Sequence, residues 1–177
     1  ARTALPYAVV SVGNLAVGGS GKTPLVGWLA RALCARGRRV VILSRGVGGS
    51  RGGRVNVVSD AVRVLLSPAE VGDEPVWLAE HAPGVPVLAG RDRRGLGLRA
   101  RELFASEIAL LDDGFQHHRL HRDLELVCVD ASLGLGNRRV LPRGPLREPP
   151  RVLGRAHALV FTRVQPGLEP ADLQRMP

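Results

Sequence analysis

Short unbroken apolar runs alternate along this chain with longer stretches in which apolar residues recur every three or four positions. Ala8-Val9-Val10-Ser11-Val12 is the first run, and it predicts a strand buried on both faces. From Thr23 to Arg36 the spacing of Leu25, Leu29, Ala32 and Leu33 predicts an amphipathic helix, with Gly37 placed to cap its end. Val40-Val41-Ile42-Leu43 reads as the second strand, and Val55 to Val58 as a short third beyond a glycine- and arginine-rich loop, Arg45 to Arg54. Glu74 to His81 reads as a helix with Pro75 in its first turn. Val85 to Leu88 is the next strand, and Leu96, Ala100, Leu103 and Phe104 mark the stripe of another helix. Ile108 to Leu111, Leu124 to Val129 and Ala158 to Phe161 complete the strands. Such alternation predicts an α/β fold, a mostly parallel sheet with helices on both faces. Arg138 to Arg151, rich in Pro, Arg and Gly, reads as a long functional or mobile loop.

The first strand-to-helix junction carries the strongest chemical signal. Gly18-Gly19-Ser20-Gly21-Lys22-Thr23 lies between a buried strand and an amphipathic helix, the context of a phosphate-binding P-loop. Glycines let backbone N–H groups curl round phosphate oxygens, and the helix N-terminus adds its positive dipole end. Lys22 would reach the β- and γ-phosphates of ATP, and the Thr23 hydroxyl would bind Mg²⁺. Ala16 stands where the usual pattern has its first glycine. A flexible glycine turn is the competing reading, and the flanking elements favour the P-loop.

A P-loop needs a second Mg²⁺ anchor, and Ile108-Ala109-Leu110-Leu111-Asp112-Asp113 supplies carboxylates at the end of an apolar strand. Asp-Asp-Gly is also a common strand-ending turn. Asp73, in Val71-Gly72-Asp73-Glu74-Pro75, sits where a helix should start; it reads as an N-cap or as a carboxylate able to take a proton from an attacking hydroxyl. His117, His118 and His121 have no accompanying Cys and read as loop residues beside the nucleotide rather than a zinc site. Arg45, Arg51, Arg91, Arg93, Arg143 and Arg147 fall in predicted loops at strand ends, the side on which such sheets bind ligands.

Composition narrows the classes. With 177 residues, 45% of them hydrophobic and 23% charged, the chain is long enough for one globular core and too apolar for disorder. It has no apolar run of about 18 residues that would span a bilayer. Cys34 and Cys128 lie in apolar surroundings and read as buried thiols of a reducing compartment. The net charge is +9, and all but one of the 25 basic side chains are arginine, the exception being Lys22. That charge suits nucleic acid, acidic lipid or phosphorylated ligands. Two Trp, one Tyr and three Phe are too few to interleave a basic run as stacking platforms, which argues against a nucleic-acid module. A guanine-specific Asn-Lys-x-Asp motif is excluded because the one lysine is already in the P-loop.

Taken together these segments resemble one family, tetraacyldisaccharide 4′-kinase, the lipid A 4′-kinase of Gram-negative bacteria. The matching pieces are Ser11-Val12-Gly13-Asn14-Leu15 with Lys22-Thr23-Pro24, Ser44-Arg45-Gly46, Gly72-Asp73-Glu74-Pro75, and Arg91-Asp92-Arg93. They continue with Leu111-Asp112-Asp113-Gly114-Phe115-Gln116-His117, Arg122-Asp123-Leu124-Glu125, and Leu141-Pro142-Arg143-Gly144-Pro145-Leu146-Arg147-Glu148. Val47 and Arg143 depart from it, standing where the family usually has Tyr and Ala.

The resemblance implies ATP-dependent phosphorylation of the 4′-hydroxyl of a tetraacyldisaccharide 1-phosphate at the cytoplasmic face of the inner membrane. It implies that Gly18 to Thr23 and Gln116 bind the nucleotide, that Thr23, Asp112 and Asp113 organise Mg²⁺, and that Asp73, Lys22 and Arg147 are catalytic. Arg45, Arg93 and Glu148 match positions facing the family's active site. The family's N-terminal membrane-anchoring helix and a later Asp-His segment have no counterpart in these residues. The expectation is a truncated enzyme: a kinase core over residues 1–160, with 161–177 starting a linker or second domain, and with reduced or absent activity.

Overall fold

The computed structural model describes residues 2–52 and 55–167. In chain order the elements are β1 (Ala8–Asn14), α1 (Lys22–Cys34), β2 (Val40–Ser44), β3 (Asn56–Ser59), α2 (Pro68–Val71) and α3 (Asp73–His81). They continue with β4 (Val87–Ala89), α4 (Arg93–Phe104), β5 (Ile108–Asp112), β6 (Leu124–Asp130), a 3₁₀ turn at Pro150–Arg155, and β7 (Ala158–Thr162). The seven strands form one sheet in the order β3-β4-β2-β5-β1-β6-β7. Every pairing is parallel except β3 with β4. The P-loop NTPase-like α/β expectation therefore holds.

The apolar runs are unbroken because the central strands are covered on both sides. On β2, Val40 and Ile42 face the layer containing α1 and α3, while Val41 and Leu43 face that of α4. Residues of β5 divide in the same way, Leu110 to the first layer and Ala109 and Leu111 to the second. Burying such side chains yields about 1.5–3 kcal/mol each, the main force holding the layers together.

Several local expectations shift. Helix α1 buries Val26, Gly27 and Ala30, with Leu25, Leu29 and Leu33 packed around them, so the small residues rather than the leucines sit nearest the sheet. Its C-cap is Ala35, and Gly37 takes its left-handed turn two residues later. Strand β4 is shorter and later than the run Val85 to Leu88 suggested. Leu103 of α4 is exposed. Helix α2 was not anticipated, although Ser67 and Glu70 form a capping box that the sequence spells out. Cys34 is half-buried, whereas Cys128 is buried as expected.

The largest shift concerns Arg138 to Arg151. Leu146 is fully buried in a third apolar cluster with Leu15, Phe115, Val127 and Leu135. The Arg147 N–H donates to the Leu15 carbonyl at 2.8 Å, and the Val17 N–H to Pro145 at 2.7 Å. This segment is laid against the first half of the P-loop rather than left free. The sheet continues through Thr162, so the expected core limit at 160 falls inside β7, and residues 168–177 lie outside those described.

Candidate active site at the carboxyl edge of the sheet

Parallel strands bring all their C-terminal ends to one edge, and the candidate residues gather there. Gly21, at φ 76°, is the N-cap of α1, a left-handed position that favours glycine. The loop before it is held from both sides: Asn14 Nδ2 donates to the Ala16 carbonyl at 2.6 Å, and Thr162 Oγ1 donates to Ser20 O at 2.9 Å. Lys22 and Thr23 open the helix, and Lys22 is 7% exposed.

Asp112 closes β5 directly beside β1, because Val12 and Asp112 are paired in register. Thr23 Oγ1 donates to Asp112 Oδ1 at 3.4 Å, and the buried Oδ2 has no hydrogen-bond partner among the described residues. Burial pushes the Asp112 carboxyl up to about 7; the like charges of Glu74 and Asp113 add to the rise, and Lys22 and Arg93 oppose it. An orphaned carboxylate oxygen beside a threonine hydroxyl is a hard-oxygen donor set. Among the described residues no three His, Cys, Asp or Glu side chains gather as a metal cluster. A cation here would take few protein ligands, as Mg²⁺ does in phosphoryl-transfer sites, so the residues present fit it.

Asp113 turns to different partners. At φ 53°, it accepts from Arg147 Nη1 at 2.9 and 3.0 Å, and the same Nη1 reaches Gln116 Oε1 at 3.4 Å. Gln116 Nε2 in turn donates to the Asn14 carbonyl at 3.0 Å. Asp113, Gln116 and Arg147 join Arg45, Arg91, Arg93 and His117 in lining a cleft of about 250 Å³. Arg93 is 3% exposed, donates to Gly90 O at 2.7 Å and to Asp112 O at 3.3 Å, and its Nε has no partner among the described residues. Burial draws its pKa down to about 10, against the pull of Asp112. His117 is held below the usual histidine range by burial first and then by Arg93 and Arg122. The two acidic neighbours thus divide, Asp112 toward the P-loop and Asp113 toward the arginines.

Asp73 is the first residue of α3, whose N-cap is Gly72, so it is not the capping residue. Its exposed side chain lines a small cavity of about 280 Å³ with Thr23, Pro24, Glu74 and Trp77. Other candidates scatter. Arg51 pairs with Glu70 at 2.9 Å, Glu148 with Arg155 at 2.9 Å, and His121 with Asp123 at 3.6 Å. Arg93 opens α4 rather than lying in a loop. Glu74, Asn14 and Thr162 were given no role by sequence reasoning. Glu74 was legible beside Asp73, whereas Thr162 reaches the P-loop only through the order of strands.

A family model described as Tetraacyldisaccharide-1-P 4′-kinase matches residues 1–175. The chain is 55% identical over 163 residues to a tetraacyldisaccharide 4′-kinase of Geobacter metallireducens, covering 92% of this chain and 48% of that protein. It is 52% identical to the protein of the same name from Geobacter sulfurreducens, covering 92% and 46%. It superposes on a crystal structure of LpxK from Aquifex aeolicus in complex with ATP with a TM-score of 0.82 at 45% identity, over 92% of this chain and 50% of that one. The chain spans about half the length of the relatives it matches.

Proposed function

The chain belongs to the tetraacyldisaccharide 4′-kinase family, and we propose that it carries the ATP- and Mg²⁺-binding centre of an enzyme that phosphorylates the 4′-hydroxyl of a tetraacyldisaccharide 1-phosphate in lipid A biosynthesis. The observation that carries this reading is the approach of Thr23 to Asp112 beside the buried Lys22, with one Asp112 oxygen left over.

In this reading Gly18 to Thr23 wrap the phosphates with backbone N–H groups, and Lys22 holds a fixed positive charge against them. Thr23 and Asp112 would hold Mg²⁺, which when bound offsets negative charge on the transferring group. Asp73 faces the same cavity as Thr23 and serves as proton acceptor for the attacking hydroxyl. Arg147, fixed by Asp113, and the buried Arg93 supply positive charge on the opposite side, and Gln116 braces the loop against β1. Asp113 is held by Arg147, which leaves Asp112 as the carboxylate beside Thr23.

No helix among the described residues is long and apolar enough to cross a membrane. A lipid acceptor places the reaction at the cytoplasmic face of the inner membrane. Residues up to the end of β7 form the kinase core, and those after it begin the connection to a second domain.

The test is ATP-dependent phosphate transfer to tetraacyldisaccharide 1-phosphate, with this chain and the longest native protein containing it assayed side by side. Transfer by the longer protein is the expected result. If neither transfers while both bind ATP, the acceptor is a different molecule and the proposal fails.

A further inference from the structure

Arg122-Asp123-Leu124-Glu125 has no part in the chemistry above, yet it holds the most deeply buried ion pair among the described residues. Arg122 Nε lies 2.7 Å from Glu125 Oε2, and both side chains are 3% exposed. The pair sits on the α4-side face of the sheet, where Glu125 is in register with Ser11 of β1. Removing two charges from water carries a large cost, and neither Arg122 nor Glu125 lines the cleft or the P-loop. An apolar pair would fill the same space more cheaply.

The contacts show what the charges do. Arg122 Nη1 donates to the carbonyl of His117, which closes the turn 113–117 just after β5. That loop closes on itself, with His117 N–H donating to Gly114 O at 2.9 Å and Gly114 N–H to Val12 O at 3.2 Å. On its inner side Gly114 lies so near Ser11 that an added Cβ would stand 2.3 Å from Ser11 Oγ. Ser11 and Glu125 line the floor, the Glu125 N–H donates to His157 Nδ1 at 2.9 Å, and the His157 N–H returns to Glu125 O at 2.9 Å. Glu125 is thereby anchored to the segment entering β7, and Arg122 carries that anchorage to the loop. The same loop carries Asp113, Gln116 and His117 into the cleft.

We propose that Arg122 and Glu125 are a positioning pair: the buried Glu125 fixes the Arg122 guanidinium, which holds the loop 113–117 at the height from which Asp113 presents Arg147 to the phosphoryl-transfer site. The inference rests on the kinase reading for its functional consequence, but its structural consequence is separate.

The test uses the longest native protein containing this chain, with the double variant Arg122→Met/Glu125→Met. Replacing both partners leaves no lone buried charge, so the fold survives a change that a single substitution would not permit. Hydrogen exchange is read first. The amides of Gly114 and His117 are expected to exchange at least about tenfold faster, with those of α1 unchanged. Unchanged exchange in 113–117, or an equal rise throughout the sheet, would overturn the proposal. Kinetics follow: kcat is expected to fall about tenfold with KM for ATP within about twofold, since the P-loop is not touched. In an Asp113→Asn background the same double variant should cost less than about twofold more, because the group that the pair positions has already been removed; full additivity would sink the assignment. A wild-type protein with no transfer to the disaccharide would instead refute the kinase reading, while the exchange experiment would still decide the pair.

Discussion

The two sides of the candidate site are built in opposite ways. On the P-loop side, Gly18 to Thr23 are contiguous, the loop runs straight into α1, and the single lysine sits at the helix start. On the arginine side, Arg45, Arg91, Arg93, Asp113 and Arg147 come from the ends of three strands, β2, β4 and β5, and from one long connection. The first side takes its chemical groups from one stretch of chain, and distant residues such as Thr162 only brace it. The second depends on the strand order and on Leu146 being buried beneath it. One side is thus a motif, and the other is an assembly.

That contrast predicts different signatures of damage. The largest effect belongs to Lys22→Ala, which is expected to lower phosphate transfer by about 10³-fold and to weaken ATP binding at least about tenfold, read by steady-state kinetics and isothermal titration. Asp73→Ala should follow, with kcat down about 10²-fold and ATP affinity within about twofold, because a proton acceptor acts on the hydroxyl and not on the nucleotide. A variant that instead loses stability and activity together would return Asp73 to a merely structural role.

Arg147→Ala tests the assembled side. Its pair with Asp113 is partly solvated, with side chains 28% and 21% exposed, so stability should change little. Turnover is expected to fall about tenfold or more with ATP affinity preserved. A loss of ATP affinity as large as that of Lys22→Ala would erase the distinction between the two sides.

The smallest effect concerns Cys128, packed under the P-loop side. Burial pushes its thiol up to about 11, so at pH 8 it should stay unreactive to thiol reagents in the native protein and react on unfolding. The sign follows from linkage: a thiol whose folded pKa is raised contributes stability that is present below its unfolded value near 9. That contribution is lost as pH rises toward about 11, and thermal melts between these values should show the decline. Fast native labelling of Cys128 would mean that this side opens readily.

Legibility in the sequence follows the same division. The runs at Ala8, Val40, Ile108 and Leu124 announced β1, β2, β5 and β6, because strands covered on both faces must be apolar at every position. The P-loop was readable because its chemistry is set by neighbours in the chain. A carboxylate at a helix start favours a cap for Asp73, yet Gly72 takes that place and leaves the carboxylate exposed. The leucine spacing of α1 pointed slightly off the buried face, since Val26, Gly27 and Ala30 allow the closest approach to the sheet. The segment 138–151 looked like a free loop because proline, arginine and glycine conceal the one leucine that anchors it.

By itself the sequence determined the alternation of strands and helices, the phosphate-binding corner and the family to which the chain is similar, all of which rest on periodicity or on residues adjacent in the chain. Only the tertiary structure decided that Asp112 faces Thr23 while Asp113 takes Arg147, that Thr162 braces the P-loop, and that Arg122 and Glu125 lie buried under the loop. The reason is the order β2-β5-β1-β6-β7, which places residues more than a hundred positions apart within a hydrogen bond of each other, as Thr162 and Ser20 are at 2.9 Å. No local pattern encodes such a meeting, because it arises from the packing of the whole sheet.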